Sequence, residues 1–298
     1  MKKVVVLLLL ACVCLPLSAA SYRRSQDNSP KKHNLEIAYE ISDYGYREPH
    51  MEYPIHITAK KQGISLVYTR VSVSSEEVTE EDPSFATLEL RYMDGKADYD
   101  GYFVDGYGNG TPAQLYDEKD YYMEAALKIG RYYTLSDAMK LWPYLGIGWR
   151  SLRNGEDGCV DLGGGVCGET YQRTSTYIYV PIGLKWETNF GSAVKLSLNG
   201  QFDWLLRGNQ SSHTTMLVNS TNFSNKQDKG YGVRASAKLE TNFGKMGVFV
   251  EPFWRYWKIQ NSAEEWIYNM SDPTEPVEYV IEPFNITREY GIRAGITF

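Results

Sequence analysis

The sequence predicts an all-β protein, a closed antiparallel transmembrane β-barrel of about ten strands. Three observations indicate this fold: an N-terminal pattern typical of an export signal, a repeated alternation of apolar and polar residues, and an aromatic residue at the C-terminus of the 298-residue chain. After the signal, no segment has the ~18 consecutive apolar residues that a membrane helix requires. A closed barrel is then the remaining way for this chain to cross a bilayer.

The first twenty residues have the pattern of a secretory signal peptide. Lys2 and Lys3 form a basic region, residues 4–11 are an unbroken apolar run, and Ser18-Ala19-Ala20 supplies small residues before a cleavage site. A short N-terminal core helix and a lipoprotein acylated at Cys12 are the weaker alternatives. The expected domains are a signal peptide (1–20) cleaved after Ala20, a polar N-terminal linker (21–32) and an outer-membrane barrel (33–298).

Composition and charge narrow the function classes only slightly. The 24 tyrosines, 7 tryptophans and 26 glycines suit a barrel with aromatic girdles on its lipid face and a polar lumen. The mean hydropathy of −0.42 would also suit a water-soluble protein. A net charge of −6 gives no basic excess for a nucleic acid, so no nucleic-acid partner is expected.

The last strand is the clearest one. From Tyr290 to Phe298, apolar residues alternate with polar or small ones, so that the strand has one apolar face. Such a strand fits between lipid and a polar lumen, although a strand of a soluble sandwich would alternate in the same way. The terminal aromatic residue favours the barrel, because it resembles the assembly signal of outer-membrane proteins. The residues of that signal are Tyr290, Ile292, Ala294, Ile296 and Phe298.

Eight earlier segments alternate in the same way, and a ninth, 63–73, is strand-like with an ambiguous facing. The connections between the segments differ in length. The strands are expected around 35–41, 63–73, 88–92, 123–129, 145–149, 177–187, 195–207, 230–240 and 247–258. Tight turns are expected at 134–139, 189–192 and 242–245, and long loops at 101–118, 154–171, 208–227 and 260–285. Bacterial barrels have short periplasmic turns and long extracellular loops. The predicted connections follow that arrangement except for 74–84, a longer acidic connection on the short-turn side.

The polar faces of these strands carry charges of both signs. Ten strands make a narrow barrel, close to the size at which side chains fill the interior. Opposite charges confined there should pair, because an unpaired buried charge costs several kcal/mol. We therefore favour a salt-bridged plug over a small ion-conducting pore, which the sequence leaves open. The predicted lumen charges are Glu36, Glu40, Glu89, Arg91, Glu124, Lys128, Arg150, Lys185, Asp203, Arg207, Arg234, Lys238, Glu251, Arg255 and Arg293.

Two cysteines remain after the predicted signal peptide. Cys159 and Cys167 lie in a glycine-rich segment, residues 155–168. In an oxidising compartment this spacing predicts a disulfide that links the two sides of a surface loop. A metal or redox role is less favoured, because few other ligands lie nearby. We expect neither a metal nor a cofactor.

The sequence shows no evident catalytic constellation. An outer-membrane protease of the omptin type has ten strands and uses acidic residues with an Asp–His pair at the extracellular rim, and a lipid A deacylase uses a His–Ser pair facing the membrane. Here His213 follows two serines in a predicted loop, and Asp203 is too far from it for that spacing. General acid–base chemistry requires groups within hydrogen-bond reach. We predict no enzymatic activity, with a rim-active hydrolase, either omptin-like or lipid A-modifying, as the alternative.

Several motifs resemble the opacity-protein and OmpA-like group of outer-membrane barrels, often labelled the porin family. They include Pro-Tyr-Leu-Gly-Ile-Gly-Trp-Arg at 143–150, Gly-Tyr-Gly-Val-Arg-Ala-Ser at 230–236 and Gly-Ile-Arg-Ala-Gly-Ile-Thr-Phe at 291–298. The resemblance implies a Gram-negative outer-membrane location and the role of a narrow porin or a surface-interaction protein. The partners it implies are outer-membrane lipid and lipopolysaccharide, the barrel assembly machinery and an unidentified extracellular ligand.

Overall fold

A computed structural model describes residues 32–72, 83–104, 109–161, 165, 167–191, 194–213, 222–244, 246–268, 272, 274 and 276–298. The predicted signal peptide and nearly all of the predicted linker lie outside the described residues. In the part of the chain that is described, no helix is long and apolar enough to span a membrane.

Ten long strands form the wall of the barrel. They are β1 (His33–Glu48), β2 (Ile55–Ser72), β3 (Ser84–Val104), β4 (Gly110–Arg131), β6 (Met139–Asn154), β9 (Arg173–Phe190), β10 (Val194–Ser212), β12 (Gly230–Phe243), β13 (Met246–Ile259) and β16 (Asn285–Thr297). The short strands are β5 (Tyr133–Ser136), β7 (Gly158–Asp161), β8 (Cys167–Thr170), β11 (Phe223–Lys226), β14 (Glu265–Tyr268) and β15 (Pro276–Val280). The ten long strands contain the ten predicted strand segments, so the predicted fold class is confirmed.

The wall is antiparallel throughout and closes on itself. The strand order is β1-β2-β3-β4-β6-β9-β10-β12-β13-β16, and β16 pairs back with β1, with Glu36 opposite Thr297. The amide of Phe298 donates to the carbonyl of Leu35 at 2.9 Å. Residues 32 and 298 therefore lie at one end of the barrel, the terminal end, and the opposite end is the loop end. A closed wall leaves no unpaired strand edge facing lipid.

An apolar belt surrounds the outer face of the wall. Ile64 is 62 % exposed, Leu145 56 % and Trp204 60 %, and a continuous exposed apolar surface of this kind marks contact with lipid. On β16 the belt runs from Phe298 to Tyr290, about the 9–11 residues that a tilted strand uses to cross a bilayer. These outward residues of β16 include the predicted assembly-signal positions.

The wall strands continue beyond the belt at the loop end. The predicted loop at 101–118 is wrong, because β3 extends to Val104 and β4 begins at Gly110, with Tyr102 opposite Pro112. Above the belt neither strand face meets lipid, so the alternation that reveals a half-buried strand is lost there. The three other long loops predicted from the sequence contain the short strands β7 and β8, β11, and β14 and β15.

Candidate functional site

The polar faces of the wall strands meet inside the barrel, where they form a lumen charge network. Near the terminal end, Glu36 pairs with Lys238 at 2.5 Å and with Arg293 at 3.1 Å. Arg293 also pairs with Glu251 at 2.7 Å. The register explains the last contact, because Glu251 on β13 lies directly opposite Arg293 on β16. Alternation points both side chains inward, and the register sets them side by side.

The central layer of the network is organised around Glu124 on β4. Its carboxylate accepts hydrogen bonds from Arg91 at 2.5 Å, from the Tyr179 hydroxyl at 2.9 Å, and from Arg234. Arg234 also donates to Asp203 at 2.5 Å. The donors to Glu124 come from β3, β9 and β12. Several charged and polar donors offset the desolvation cost of a buried carboxylate, and losing one of them would leave buried charge without compensation.

Side chains from opposite sides of the barrel meet in this layer. Arg255 on β13 donates to the hydroxyl of Tyr122 on β4 at 3.1 Å, and these two strands are five apart in either direction around the wall. Tyr122 donates to Glu289 at 2.9 Å, and Arg255 donates to Glu40 at 2.8 Å. An adjoining cavity has a volume of about 70 Å³, which is room for a small number of ordered waters. The contacts therefore cross the bore.

Most of the predicted lumen charges lie on the inner face with an oppositely charged partner. Arg150 is inside but differs, because its guanidinium lies 4.7 Å from the centre of the Tyr122 ring and 5.9 Å from that of Trp257, the geometry of cation–π contacts. The predicted residues found in ion pairs are Glu36, Glu40, Glu89, Arg91, Glu124, Lys128, Lys185, Asp203, Arg234, Lys238, Glu251, Arg255 and Arg293.

The prediction that Arg207 faces the lumen is wrong. The register of β10 against β9 shifts between Leu205 and Arg207. Leu205 is therefore buried, while Arg207 is exposed on the outer wall. A β-bulge adds one residue to a strand and moves the following side chain to the other face. Simple alternation along the sequence does not reveal such a shift.

Sequence reasoning missed an inner ion pair above the belt. Lys61 on β2 pairs with Asp120 on β4, and both side chains are almost fully buried. Asn154 donates a further hydrogen bond to Asp120 at 2.7 Å. At this height the inward face carries apolar residues such as Ile57 and Tyr122, and the outward face is polar. This reverses the pattern of the belt, so an alternation read as apolar outside and polar inside does not mark Lys61 or Asp120 as inward residues. The strand extensions in the structure are what identify them.

A second network, the mouth network, lies at the loop end. Arg173 on β9 pairs with Glu282 at 2.5 Å and with Glu48 at 3.6 Å. The Tyr46 hydroxyl donates to Glu48 at 2.5 Å, and Gln210 donates to Glu282. Burial raises the pKa of the Glu282 carboxyl to about 7; the Arg173 charge opposes this rise and the Glu48 charge adds to it. Glu282 therefore exchanges its proton near neutral pH.

Glu282 belongs to the connection between β13 and β16, whose described residues we call the mouth strap (260–268, 272, 274 and 276–284). The backbone amide of Glu282 donates to the Ser262 hydroxyl at 2.8 Å. The side chain of Asn225 donates to the carbonyl of Val280 at 3.1 Å. The strap is thus fixed both to the β11 region and, through Arg173, to the wall.

The two cysteines lie together in a hairpin outside the wall. β7 pairs with β8, with Asp161 opposite Cys167, and the structure places a disulfide between Cys159 and Cys167 with Cα atoms 5.5 Å apart. A groove of about 830 Å³ lies between this hairpin and the outward faces of β2, β3 and β4. The link restricts how far the hairpin can open.

The described residues form no recognisable catalytic centre. No histidine among them pairs with a carboxylate, and no group of three or more His, Cys, Asp or Glu side chains could hold a metal ion. The amide of His213 bonds to the carbonyl of Gln172 at 3.0 Å, and the His50 ring packs 4.7 Å from that of Phe284. The Asp–His pair of the alternative hypothesis is not formed in this part of the chain.

Comparisons with known proteins place the fold but not a family. No protein-family model matches the sequence, and no curated protein matches it. The crystal structure of outer membrane protease OmpT from Escherichia coli is similar, with a TM-score of 0.62 and 12 % identity over 91 % of this chain and 97 % of that one. At this identity the likeness shows the fold alone. The chain therefore has the fold of an outer-membrane β-barrel.

Weaker similarities extend to other outer-membrane barrels. The toluene transporter TodX of P. putida matches with a TM-score of 0.38 and 8 % identity, covering 90 % of both chains. The attachment invasion locus protein Ail of Yersinia pestis matches with a TM-score of 0.28 and 10 % identity, over 90 % of this chain and 100 % of that one. The more specific resemblance to the opacity-protein and OmpA-like group stays a prediction.

Proposed function

We propose that this chain is an outer-membrane barrel of a Gram-negative cell envelope that acts through its loop end, as a non-catalytic surface-interaction protein rather than as a porin. The lumen charge network carries this proposal. Arg255 and Tyr122 meet at 3.1 Å from opposite strands. A porin requires a continuous wet path, and this contact between opposite walls obstructs that path.

The location and orientation are supported by three features taken together. The sequence begins with a signal-peptide pattern, the wall carries an apolar belt, and the long hairpins gather at one end. Bacterial barrels keep their short turns in the periplasm and their long loops outside the cell. The loop end is then the extracellular face, and the part of the belt next to it lies in the outer leaflet.

The loop end offers a surface suited to contacts with another molecule. Tyr116 is 67 % exposed, and Trp266 and Tyr279 of the mouth strap pack edge to face while remaining 49 % and 52 % exposed. Tyrosine and tryptophan supply large contact areas for a small loss of side-chain entropy, which explains their enrichment in recognition surfaces. The partner class we propose is an extracellular protein or glycan.

Two measurements on one refolded preparation test this function. In planar bilayers we expect no steady conductance from the wild-type barrel, because the network crosses the bore. The double variant Arg255→Ala/Tyr122→Ala, which removes the cross-bore contact, should conduct. Steady channels from the wild-type protein would contradict the proposal.

Binding provides the second measurement. An array of purified extracellular proteins and glycans, probed with the barrel in nanodiscs, should give a ligand whose signal falls in Trp266→Ala/Tyr279→Ala. The matched control is Tyr133→Ala, which removes an exposed aromatic residue near the terminal end. Equal loss in the control and in the mouth-strap variant would argue against a site on the strap.

The mouth network favours one second candidate, a rim-active hydrolase. Glu48 and Glu282 share Arg173, and the pKa of Glu282 is raised to about 7, which suits a general acid or base at neutral pH. Peptidase and lipid A deacylase assays would test it. Activity that is lost in Glu282→Gln and kept in His213→Ala would favour this candidate over the non-catalytic one.

A further inference from the structure

We infer that the outer wall formed by β10, β12, β13 and β16 carries a docking site for the phosphorylated headgroup of an outer-leaflet glycolipid. The inference depends on the membrane location and orientation proposed above. It does not depend on the surface-interaction role, because it concerns the lipid-facing side of the wall and not the mouth.

Four outward basic side chains line this wall directly above the apolar belt. Arg207 lies on β10, Lys229 precedes β12, Lys258 lies on β13 and Arg288 lies on β16. Lys258 lies opposite Tyr231, two residues from Lys229, and Arg288 lies opposite Tyr256, two residues from Lys258. The bases on neighbouring strands therefore differ in height by about two residues. The bases therefore form a stripe across adjacent strands, and the β-bulge of β10 is what adds Arg207 to it.

An aromatic band lies at and just below the basic stripe. The Phe202 and Tyr231 rings stack with centroids 5.7 Å apart, Tyr231 lies 6.2 Å from Tyr256, and Tyr256 stacks on Trp254 at 5.8 Å. Tyrosine and tryptophan concentrate at the boundary between acyl chains and headgroups. This band fixes the height of the stripe at the headgroup layer, where lipid phosphates lie.

The stripe differs from the opposite wall in the pairing of its charges. On β2, β3 and β4 the lysines above the belt have acidic partners. Those pairs are Lys60–Asp43 at 2.7 Å, Lys96–Asp117 at 3.7 Å and Lys119–Glu156 at 3.4 Å. Among the described residues, none of the four stripe bases pairs with a carboxylate, and Asp228, the acid nearest to Lys229 in sequence, is paired with Lys226 at 2.5 Å.

Lys258 lies 5.4 Å from the centre of the Phe284 ring, a contact that leaves its positive charge without a counter-ion. The net positive charge of the stripe decides the chemistry of the partner. A stripe of Arg and Lys at the headgroup layer attracts anions, and each base near a charged bilayer surface strengthens that attraction. The guanidinium groups of Arg207 and Arg288 offer paired N–H donors that match a phosphate oxygen pair. A glycolipid with phosphate on its sugar can place the phosphate on the stripe while its acyl chains cover the belt beneath the aromatic band.

The test compares two sets of charge-neutralising substitutions in the full barrel. Lipid binding is measured in detergent by native mass spectrometry with bisphosphorylated lipid A as the probe. The variant Arg207→Gln/Lys229→Gln/Lys258→Gln/Arg288→Gln should bind at least about tenfold more weakly than wild type. The control Lys60→Gln/Lys96→Gln/Lys119→Gln removes three lysines from the opposite wall and should stay within about twofold. Heat-modifiable migration on gels verifies that both variants are folded.

Three results would overturn the inference. Equal weakening by both variants would mean that the attraction comes from overall charge. Binding of phosphate-free lipid A as tightly as the bisphosphorylated form would remove the role of phosphate. Displacement of lipid A by millimolar inorganic phosphate would indicate a site for free anions. None of these results alters the conductance or array measurements, so the proposed function succeeds or fails separately.

Discussion

The central layer of the lumen and the mouth network use the same residue types but are anchored differently. In the centre, the charged partners of Glu124 are Arg91 and Arg234, both on wall strands. At the mouth, Arg173 on the wall holds Glu282 on the strap. A wall strand is fixed by hydrogen bonds to two neighbours, whereas a connecting segment opens at a smaller free-energy cost. An Arg–Glu pair in the lumen is thus part of a permanent plug, whereas an Arg–Glu pair at the mouth is a contact that can open.

The largest effect is expected from breaking the central layer. Glu124→Gln removes one of two carboxylate partners from each of Arg91 and Arg234, which keep Glu40 and Asp203. The loss should therefore reach but not exceed the ~3–5 kcal/mol that a fully broken buried ion pair costs. Urea unfolding of the barrel in lipid micelles, followed by tryptophan fluorescence, measures the loss. Lys119→Gln, in an exposed pair with Glu156, is the matched control. A central loss no greater than that of the control would remove the distinction between the two regions.

An intermediate effect is expected from Arg173→Met, and it should be local. The substitution removes the cation shared by Glu48 and Glu282. The strap keeps its contacts with Gln210 and Asn225, so it should open more often while the wall stays folded. Hydrogen exchange read by mass spectrometry should rise at least about tenfold in residues 276–284 and remain unchanged in β4, because local opening does not require global unfolding. Faster exchange throughout β4 would show that the mouth is part of the same cooperative unit as the wall.

The strap should also respond to pH, with a sign that follows from Glu282. Burial raises the pKa of this carboxyl from its usual 4.5 to about 7, so the closed strap retains a proton that a solvated strap loses. The stabilisation of the closed strap by this proton is complete below about pH 4.5 and is lost as the pH rises through 7. Exchange in 276–284, corrected for intrinsic rates, should therefore increase from pH 5 to pH 8. Glu282→Gln should flatten this dependence, and loosening on acidification would contradict it.

The smallest effect is expected on the exposed side of the wall. Lys119→Ala removes a solvent-exposed pair with Glu156 at 3.4 Å, and such pairs contribute about 0–1 kcal/mol. Its urea midpoint should lie close to that of the wild type. Glu156 lies just before β7. A shift as large as that of Glu124→Gln would therefore mean that this exposed pair, and with it the β7–β8 hairpin, stabilises the wall.

The parts of the fold that the sequence predicts are those where lipid imposes a pattern. Between Tyr290 and Phe298 one face must be apolar, so the alternation gives both the strand and its inward residues. The outward position of Arg207 could not be predicted, because a single extra residue at the bulge reverses which face the following side chain occupies. The inward position of Lys61 and Asp120 could not be predicted, because above the belt the inner face is apolar and the outer face polar, the reverse of the pattern that lipid imposes. The pair of Arg173 and Glu282 joins residues 109 positions apart, and no local pattern indicates that they meet.

The contact between Arg255 and Tyr122 also has a mechanical consequence. A cylinder made from one layer of hydrogen-bonded strands flattens easily, because bending the wall changes only the angles between neighbouring strands. A tie across the β4–β13 diameter resists elongation in that direction, and the contact of Arg173 with Glu48 spans the β1–β9 diameter, at a steep angle to the first. The cross-section should therefore stay round under lateral pressure from the bilayer, so that the surrounding lipids meet a perimeter of constant shape.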